Sequence, residues 1–332
     1  MPDLFDTARA PVRVYDTAGR VVFGSASGGP GGDLIFPDQP VLPAMGTMTS
    51  FTTYDGSNAT CHPSIVDMVA LTGTPWNGHR FWCADTPYVD PGYKPPGAPA
   101  EQGADWIENP SIWHTDDRTT WTIPAGVTNP LDGPPPAGYF SDPEMVWDPD
   151  AKRMVYTYRY SDGTIYTRTS TDGKSWPLTG RNHKPDPAVS DSNVSPTIVR
   201  LAAGDWRMWN FGNEKAPVMY RATDPTGPWT LVGRTTVNNM PASLWHGDII
   251  AHNGLLLGVG SNRSNHAGHP MISRDGGMTW TVGAPQPTLA GYRTTLIVSK
   301  DKPGYVESWN GALGFNRPTW NLTPLSVWTG IA

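Results

Sequence analysis

The chain has 332 residues, with 24 Lys and Arg against 30 Asp and Glu, for a net charge of −6. It carries no Lys/Arg run longer than two, which excludes the basic stripe that a nucleic-acid binder needs, and no apolar stretch approaches the roughly eighteen residues needed for membrane insertion. Gly 36 and Pro 35 come together with 15 Trp, 12 Tyr and 8 Phe, a composition of turn-rich β structure rather than of disorder.

Residues 1–50 lie outside the repeat described below. Val12 to Tyr15 and Val21 to Phe23, around Thr17-Ala18-Gly19, read as a hairpin that either closes a ring of repeats or attaches it to something else. The opening Met1-Pro2-Asp3-Leu4-Phe5-Asp6 has neither a charged nor an apolar leader region, so no signal peptide is expected. Cys61 and Cys83 flank two predicted adjacent strands. A disulfide and a pair of buried thiols are both open readings.

From residue 51 onward two repeats run at different phases. Thr115-Asp116-Asp117-Arg118-Thr119-Thr120-Trp121 returns as Ser170-Thr171-Asp172-Gly173-Lys174-Ser175-Trp176, and more loosely as Ala222-Thr223-Asp224 running to Trp229. Ser273-Arg274-Asp275-Gly276-Gly277-Met278-Thr279-Trp280 is the fullest copy. The closing tryptophans are 55, 53 and 51 residues apart. In such a turn the Asp accepts hydrogen bonds from turn amides, Gly supplies a positive φ, and Trp packs between neighbouring sheets. These residues are structural.

The second repeat is a strand entered from a polar residue: His62-Pro63-Ser64-Ile65-Val66, Asp142-Pro143-Glu144-Met145-Val146 and Ser195-Pro196-Thr197-Ile198-Val199. His246-Gly247-Asp248-Ile249-Ile250 and Arg293-Thr294-Thr295-Leu296-Ile297 continue it without the proline. Five such strands predict an all-β fold, a five-bladed β-propeller over 51–332. Its blades are four-stranded and antiparallel, each with an Asp-box-like turn and a Trp-led last strand. The first blade is longer by about thirty residues, around Asp85 to Asp105 and Asn129 to Pro136, and long Pro-rich loops on one blade shape a binding face.

The fullest turn, Ser273 to Trp280, matches the Asp-box pattern of sialidase-like propellers. The inner-strand repeat resembles the five-bladed propeller glycosidases of the arabinanase and xylosidase group, glycoside hydrolase family 43. The closer resemblance is to phage tail-associated propeller proteins of glycosyl hydrolase type, the minor tail proteins. It rests on Tyr54-Asp55-Gly56-Ser57-Asn58, Ala84-Asp85-Thr86-Pro87-Tyr88, Glu108-Asn109-Pro110-Ser111-Ile112, Gly126 to Pro130, Ser141-Asp142-Pro143 and Trp245-His246-Gly247-Asp248. Acidic residues on inner strands around an axial pocket are what the resemblance implies. The family's catalytic set does not carry over intact. His62 stands where an Asp is usual, the third strand begins Ser192-Asn193-Val194-Ser195 in place of a Glu, and only Asp142 matches directly.

Glycoside cleavage needs one protonated carboxyl and one carboxylate, about 5–5.5 Å apart for retention or about 6.5–9.5 Å for inversion. Asp142 is the expected base, with Glu108 or Asp248 as the acid. His62, His246, Arg293 and Asp85 are expected to bind substrate, and Trp245 and Trp106 to offer stacking faces, as do Trp76 and Trp113. No cofactor is expected. Calcium on Asp85, Asp90 and Asp105 is the lesser reading beside ordinary loop solvation.

The functional expectation is a phage tail-tip protein of the virion, made in the host cytoplasm. It recognises a bacterial cell-surface polysaccharide, with hydrolysis left open, and its other partners are tail proteins and further copies of itself. A free furanosidase-type glycoside hydrolase and a non-catalytic structural propeller are the alternatives.

Overall fold

The computed structural model describes residues 52–89, 93–100, 102–186, 194–212, 216–239, 244–311 and 319–331, with three short strands nearer the N-terminus. Asp90, Ser192, Asn193 and the Thr17-Ala18-Gly19 turn lie outside the described residues. The chain divides into two compact units, Met1–Val41 and Leu42–Ala332. In the first, β1 (Val14–Tyr15) pairs antiparallel with β2 (Val21–Val22). β3 (Gly46–Thr47) opens the second.

Five antiparallel sheets then follow in chain order. The first holds β4 (Ser64–Asp67), β5 (Phe81–Asp85) and β6 (Ser111–Thr115). The second holds β7 (Phe140–Asp148), β8 (Arg153–Tyr160) and β9 (Ile165–Ser170). The third runs through β10 (Val194–Ala202), β11 (Asp205–Phe211), β12 (Val218–Ala222) and β13 (Thr230–Arg234). The fourth contains β14 (Thr236–Asn238), β15 (Leu244–His252), β16 (Leu255–Asn262), β17 (Gly268–Ser273) and β18 (Thr279–Val282); β14 lies parallel to β18 at its edge. The fifth has β19 (Thr294–Val298), β20 (Tyr305–Asn310) and β21 (Thr319–Pro324), and β3 joins it by pairing with β21.

The expectation of four strands per sheet is met in the third; the fourth has five, the fifth takes its fourth, β3, from near the N-terminus, and the first two have three. There the Trp-led segment is reduced to isolated bridges, Thr122 to His114 in one, Leu178 to Arg168 and His183 to Ile165 in the other. Cys61 and Cys83 are free thiols, both buried, so the disulfide reading is set aside.

The core lies between the sheets. Ile65, Phe81 and Trp113 of the first sheet meet Ile297 and Trp309 of the fifth. Trp82 and Ile112 of the first meet Met145 and Tyr156 of the second. Trp209 of the third packs with Leu244, Met271 and Trp280 of the fourth. A buried indole removes on the order of 200 Å² from water, roughly 5 kcal/mol of gross burial, which is why so small a charged fraction sustains this architecture.

The strands of the inner repeat, β4, β7, β10, β15 and β19, each form one edge of their sheet and carry unpaired edge groups that need partners. The third residue of each inner-strand repeat supplies them. Met145 N donates to Ser64 Oγ at 2.9 Å, Ile198 N to Glu144 Oε1 at 3.4 Å, and Leu296 N to Asp248 Oδ2 at 2.7 Å. Thr197 Oγ1 donates to the Gly247 carbonyl at 3.3 Å, and Ile65 N to Thr295 Oγ1 at 3.3 Å. Each sheet is thus bonded to the next, and the fifth to the first.

Candidate functional site

The residue that opens each inner-strand repeat lies two positions before that ring. Four of these five, His62, Asp142, Ser195 and His246, converge at one end of the inner strands. The backbone aims them. Register shifts interrupt the pairing between Ser141 and Glu144, between Val194 and Thr197, and between Leu244 and His246. Asp142 and Ser195 take left-handed backbone, φ 50° and 48°. Bulges of this kind re-aim side chains beside functional sites, and non-glycine residues hold such φ values only when their surroundings enforce it.

Asp142 is the hub, 1% exposed. Its Oδ2 accepts from Arg159 Nε at 3.1 Å and from Ser141 Oγ at 2.9 Å. Its Oδ1 lies 3.1 Å from His246 Nδ1 and accepts from Ser195 Oγ at 3.3 Å. Burial opposes charge on this carboxyl, but the hydrogen-bonded His246 ring and the Arg159 guanidinium outweigh it and hold the group well below the ordinary carboxylate range. An ionised carboxylate only accepts, so His246 Nδ1 carries the ring hydrogen and Nε2 presents a lone pair. That Nε2 is buried and has no hydrogen-bond partner among the described residues. Ser195 Oγ reaches the same ring nitrogen, Nδ1, at 2.7 Å. A serine relay needs its hydroxyl and its acid on opposite ring nitrogens, so this trio is not one.

His62 Nδ1 lies 3.0 Å from Thr86 Oγ1 and 3.6 Å from Glu108 Oε1. Burial depresses the His62 imidazole to about 3 and lowers His246 as well, so both rings are neutral near pH 7. Glu108 caps the short 3-10 turn Ala104–Ile107. Burial, reinforced by Asp105 and Asp142, pushes its carboxyl well above the ordinary value, so it holds a proton. Asp142 and Glu108 therefore sit at opposite ends of the carboxylate range in one site.

Ligand atoms of His62, Asp142 and His246 all lie within 4.8 Å of one another, all buried. The donor set is two neutral imidazoles and one carboxylate, with Thr86, Ser195 and Ser141 holding the far sides. Such a set suits a first-row divalent cation, which takes deprotonated ligands held by a second layer of hydrogen bonds. To share a cation with Asp142, His246 would use Nδ1, the nitrogen 3.1 Å from that carboxylate, and shift its hydrogen to Nε2, which has no hydrogen-bond partner among the described residues.

An aromatic wall rises beside the pair of histidines. The Tyr292 ring lies 5.3 Å from His62, 4.9 Å from His246 and 5.1 Å from Trp245, and the Trp245 ring lies 4.2 Å from His246. Tyr88 stacks on Tyr292 at 6.1 Å.

The remaining expected site residues are placed elsewhere. Asp248 belongs to the ring below, where its carboxylate accepts the amides of Ile249 and Leu296. Arg293 is fully buried and points down, donating to the Pro143 carbonyl at 2.6 Å and to Glu144 at 3.0 Å. Asp85 is the exception: it ends β5 fully buried against the backbone of His62, and burial pushes its carboxyl well above the ordinary range. Trp106 packs with Ala59, Val89 and Ile107 under the long first-sheet loop. Trp113 and Trp76 are packed among core residues rather than offered as platforms. Ser195, Ser141, Arg159 and Tyr292 were not singled out from the sequence. Ser195 shares the repeat phase of His62 and Asp142, and Tyr292 that of Trp245, so the repeat itself was the signal. Arg159 is brought in by strand register, opposite Ser141.

No family model matches the chain. Over 124 residues, 35% of the chain, it is 28% identical to the A type blood N-acetyl-α-D-galactosamine deacetylase of Flavonifractor plautii. The match spans 14% of that protein, about a seventh of its length. Among solved structures, an N-acetylgalactosamine deacetylase from F. plautii in complex with blood group B trisaccharide superposes with a TM-score of 0.60 at 19% identity, covering 83% of this chain and 92% of that one. The exo-β-1,3-galactanase of Phanerochaete chrysosporium gives 0.55 at 14% identity over 86% of this chain and 65% of its own. A GH43 β-xylosidase/α-arabinofuranosidase from a compost microbial metagenome gives 0.55 at 10% identity over 85% and 93%. The likeness is one of fold: an all-β chain whose structural neighbours include β-propeller glycoside hydrolases of family 43.

Proposed function

We propose that the five sheets are the blades of a five-bladed propeller, and that the chain is a carbohydrate-active hydrolase removing an N-acetyl group from an amino sugar of a bacterial cell-surface polysaccharide. The observation that carries this reading is the buried His62–Asp142–His246 cluster, whose ligand atoms lie within 4.8 Å of one another. The deacetylase activity of the F. plautii protein, similar in sequence over part of this chain and in fold over most of it, supports the choice of reaction.

Amide hydrolysis needs the carbonyl polarised, water activated and the leaving nitrogen protonated. His62, Asp142 and His246 would hold a divalent cation, which would supply Lewis acidity when bound. Asp142 keeps its charge because Arg159 and its hydroxyl partners hold it. Ser195 and Thr86 orient the imidazoles. In this reading Glu108, kept protonated by burial, gives its proton to the departing amine, and the Tyr292–Trp245 wall carries the apolar face of the sugar.

The carboxyl pair favours a second reading. Asp142 held low and Glu108 held high are the base and acid that glycoside cleavage also requires. One experiment separates the two. The purified protein is stripped with EDTA, reloaded with Zn²⁺, Mn²⁺ or Ca²⁺, and incubated with N-acetylated polysaccharide while acetate and new reducing ends are measured separately. Deacetylation predicts acetate release that vanishes on chelation, returns with a cation, and falls at least about 100-fold in His246→Ala. Reducing ends released without acetate, insensitive to chelation and lost in Asp142→Asn, would replace it with glycoside cleavage.

The setting on a phage tail tip, with tail proteins and further copies of itself as partners, is part of this proposal and rests on sequence resemblance alone. Immunogold labelling of virions tests it. Label on the tail is the expected result, and unlabelled virions would remove the setting without touching the chemistry.

A further inference from the structure

Beyond the two histidines, the aromatic wall continues outward to a cation. The chain turns at Arg263-Ser264-Asn265 between β16 and β17, and the Arg263 guanidinium lies 5.0 Å over the Trp245 ring. Trp245 in turn contacts His246. Side chains of the loop hold the turn in shape. Asn262 Oδ1 accepts from Ser264 N at 2.9 Å and from Ser264 Oγ at 2.7 Å, and Asn265 Oδ1 accepts from Ala267 N at 3.0 Å. Its base is tied to the wall, because Gly291 N donates to the His266 carbonyl at 3.0 Å and the His266 ring lies 5.2 Å from Tyr292. Arg263 is exposed, and no carboxylate pairs with it among the described residues. Arg159, by contrast, is buried in its bond to Asp142.

A guanidinium that stacks on an indole keeps its edge free and loses little entropy when that edge binds an oxyanion. We propose that Arg263, held on Trp245, is the receptor for an anionic group on the sugar adjoining the one at His62, Asp142 and His246, so that the substrate is an acidic polysaccharide. A single cation suits a monoanion, either the carboxylate of a uronic acid or a phosphodiester. This specificity rests on the carbohydrate reading of the site and is independent of which bond is cleaved.

The test compares three oligosaccharide series of equal length carrying N-acetylamino sugars: neutral, with alternating uronate, and phosphodiester-linked. Wild type, Arg263→Gln and Arg263→Lys are measured by calorimetric binding and by turnover at 50 and 500 mM NaCl. One acidic series should bind wild type about tenfold more tightly than the neutral one, with the advantage shrinking at high salt. Which series does so identifies the anion. Arg263→Gln should erase the acidic-to-neutral preference through KM rather than kcat, and Arg263→Lys should restore it in part, since it keeps the charge without the planar fork. Equal binding of all three series, or a preference that survives Arg263→Gln, overturns the proposal while leaving the site's chemistry standing. Absence of binding and of turnover with every series defeats the carbohydrate reading itself, and this proposal with it.

Discussion

Asp142 and Glu144 are carboxylates two positions apart on one strand, and their surroundings differ. Asp142 faces Arg159, two hydroxyls and an imidazole, and stays ionised. Glu144 lies in the ring below. Burial and the neighbouring Asp248 outweigh Arg293 and push its carboxyl up to about 8 from an ordinary 4.5. Between those two pH values the folded protein holds more protons than the unfolded chain, so this group's contribution to stability is present below the unfolded value and is lost as pH rises. Glu144→Gln keeps an acceptor for Ile198 N and has nothing to titrate. Urea unfolding at pH 5 and pH 8 should show wild type losing stability relative to the variant as pH rises, and parallel curves would contradict the assignment. Asp248 belongs to the same layer. Asp248→Asn should lower the unfolding midpoint while keeping turnover within severalfold of wild type. Turnover lost 100-fold at an unchanged midpoint would instead make Asp248 catalytic.

At the scale of elements, the Asp-box-like turns bind their own strands and also the sheet before them. Asp275 Oδ1 accepts from Met278 N and Thr279 N, and the Gly277 carbonyl accepts the indole N–H of both Trp280 and Trp209, the latter from the third sheet. Asp224 receives Arg153 of the second sheet through two bonds of 2.7 and 2.9 Å. Arg118, in the first copy, reaches Glu307 of the fifth sheet at 2.9 Å. A Cβ on Gly173 would approach Trp82 of the first sheet to 2.6 Å. Gly277 has φ +91°, and a Cβ there would collide with the Trp209 ring. Gly277→Ala should therefore cost about 3 kcal/mol, combining backbone strain with overpacking, measurable by urea unfolding. Gly204→Ala meets no neighbour at its own positive φ and should cost only the backbone part, about 1 kcal/mol.

At the scale of the whole molecule, the fifth sheet is completed by a segment from near the N-terminus. β3 pairs with β21 through Thr47 to Thr319 and Gly46 to Trp320. Removing residues 1–41 leaves this pairing in place, whereas removing 1–50 bares the edge of β21. Thermal unfolding should show little change for the first truncation, and a midpoint several degrees lower with aggregation for the second. Equal midpoints would show that the pairing contributes nothing to stability.

Periodicity in the sequence was enough to determine the all-β class and the structural turns. It also set the phase that puts His62, Asp142 and His246 at corresponding positions of successive strands, because those features depend on local spacing and turn chemistry. Which layer a side chain joins was decided only by the tertiary structure. Asp248 stands two positions after the residue that opens its repeat, in phase with Glu144, and is spent on the amides of Ile249 and Leu296, while a bulge and a left-handed residue turn Asp142 into the site. Arg293 shares the phase of the histidines and still points away, toward Glu144. Arg159 arrives only through strand register, opposite Ser141. Charge state was equally hidden: burial neutralises His62 and Glu108 and leaves Asp142 ionised, and burial is a property of the assembled sheets.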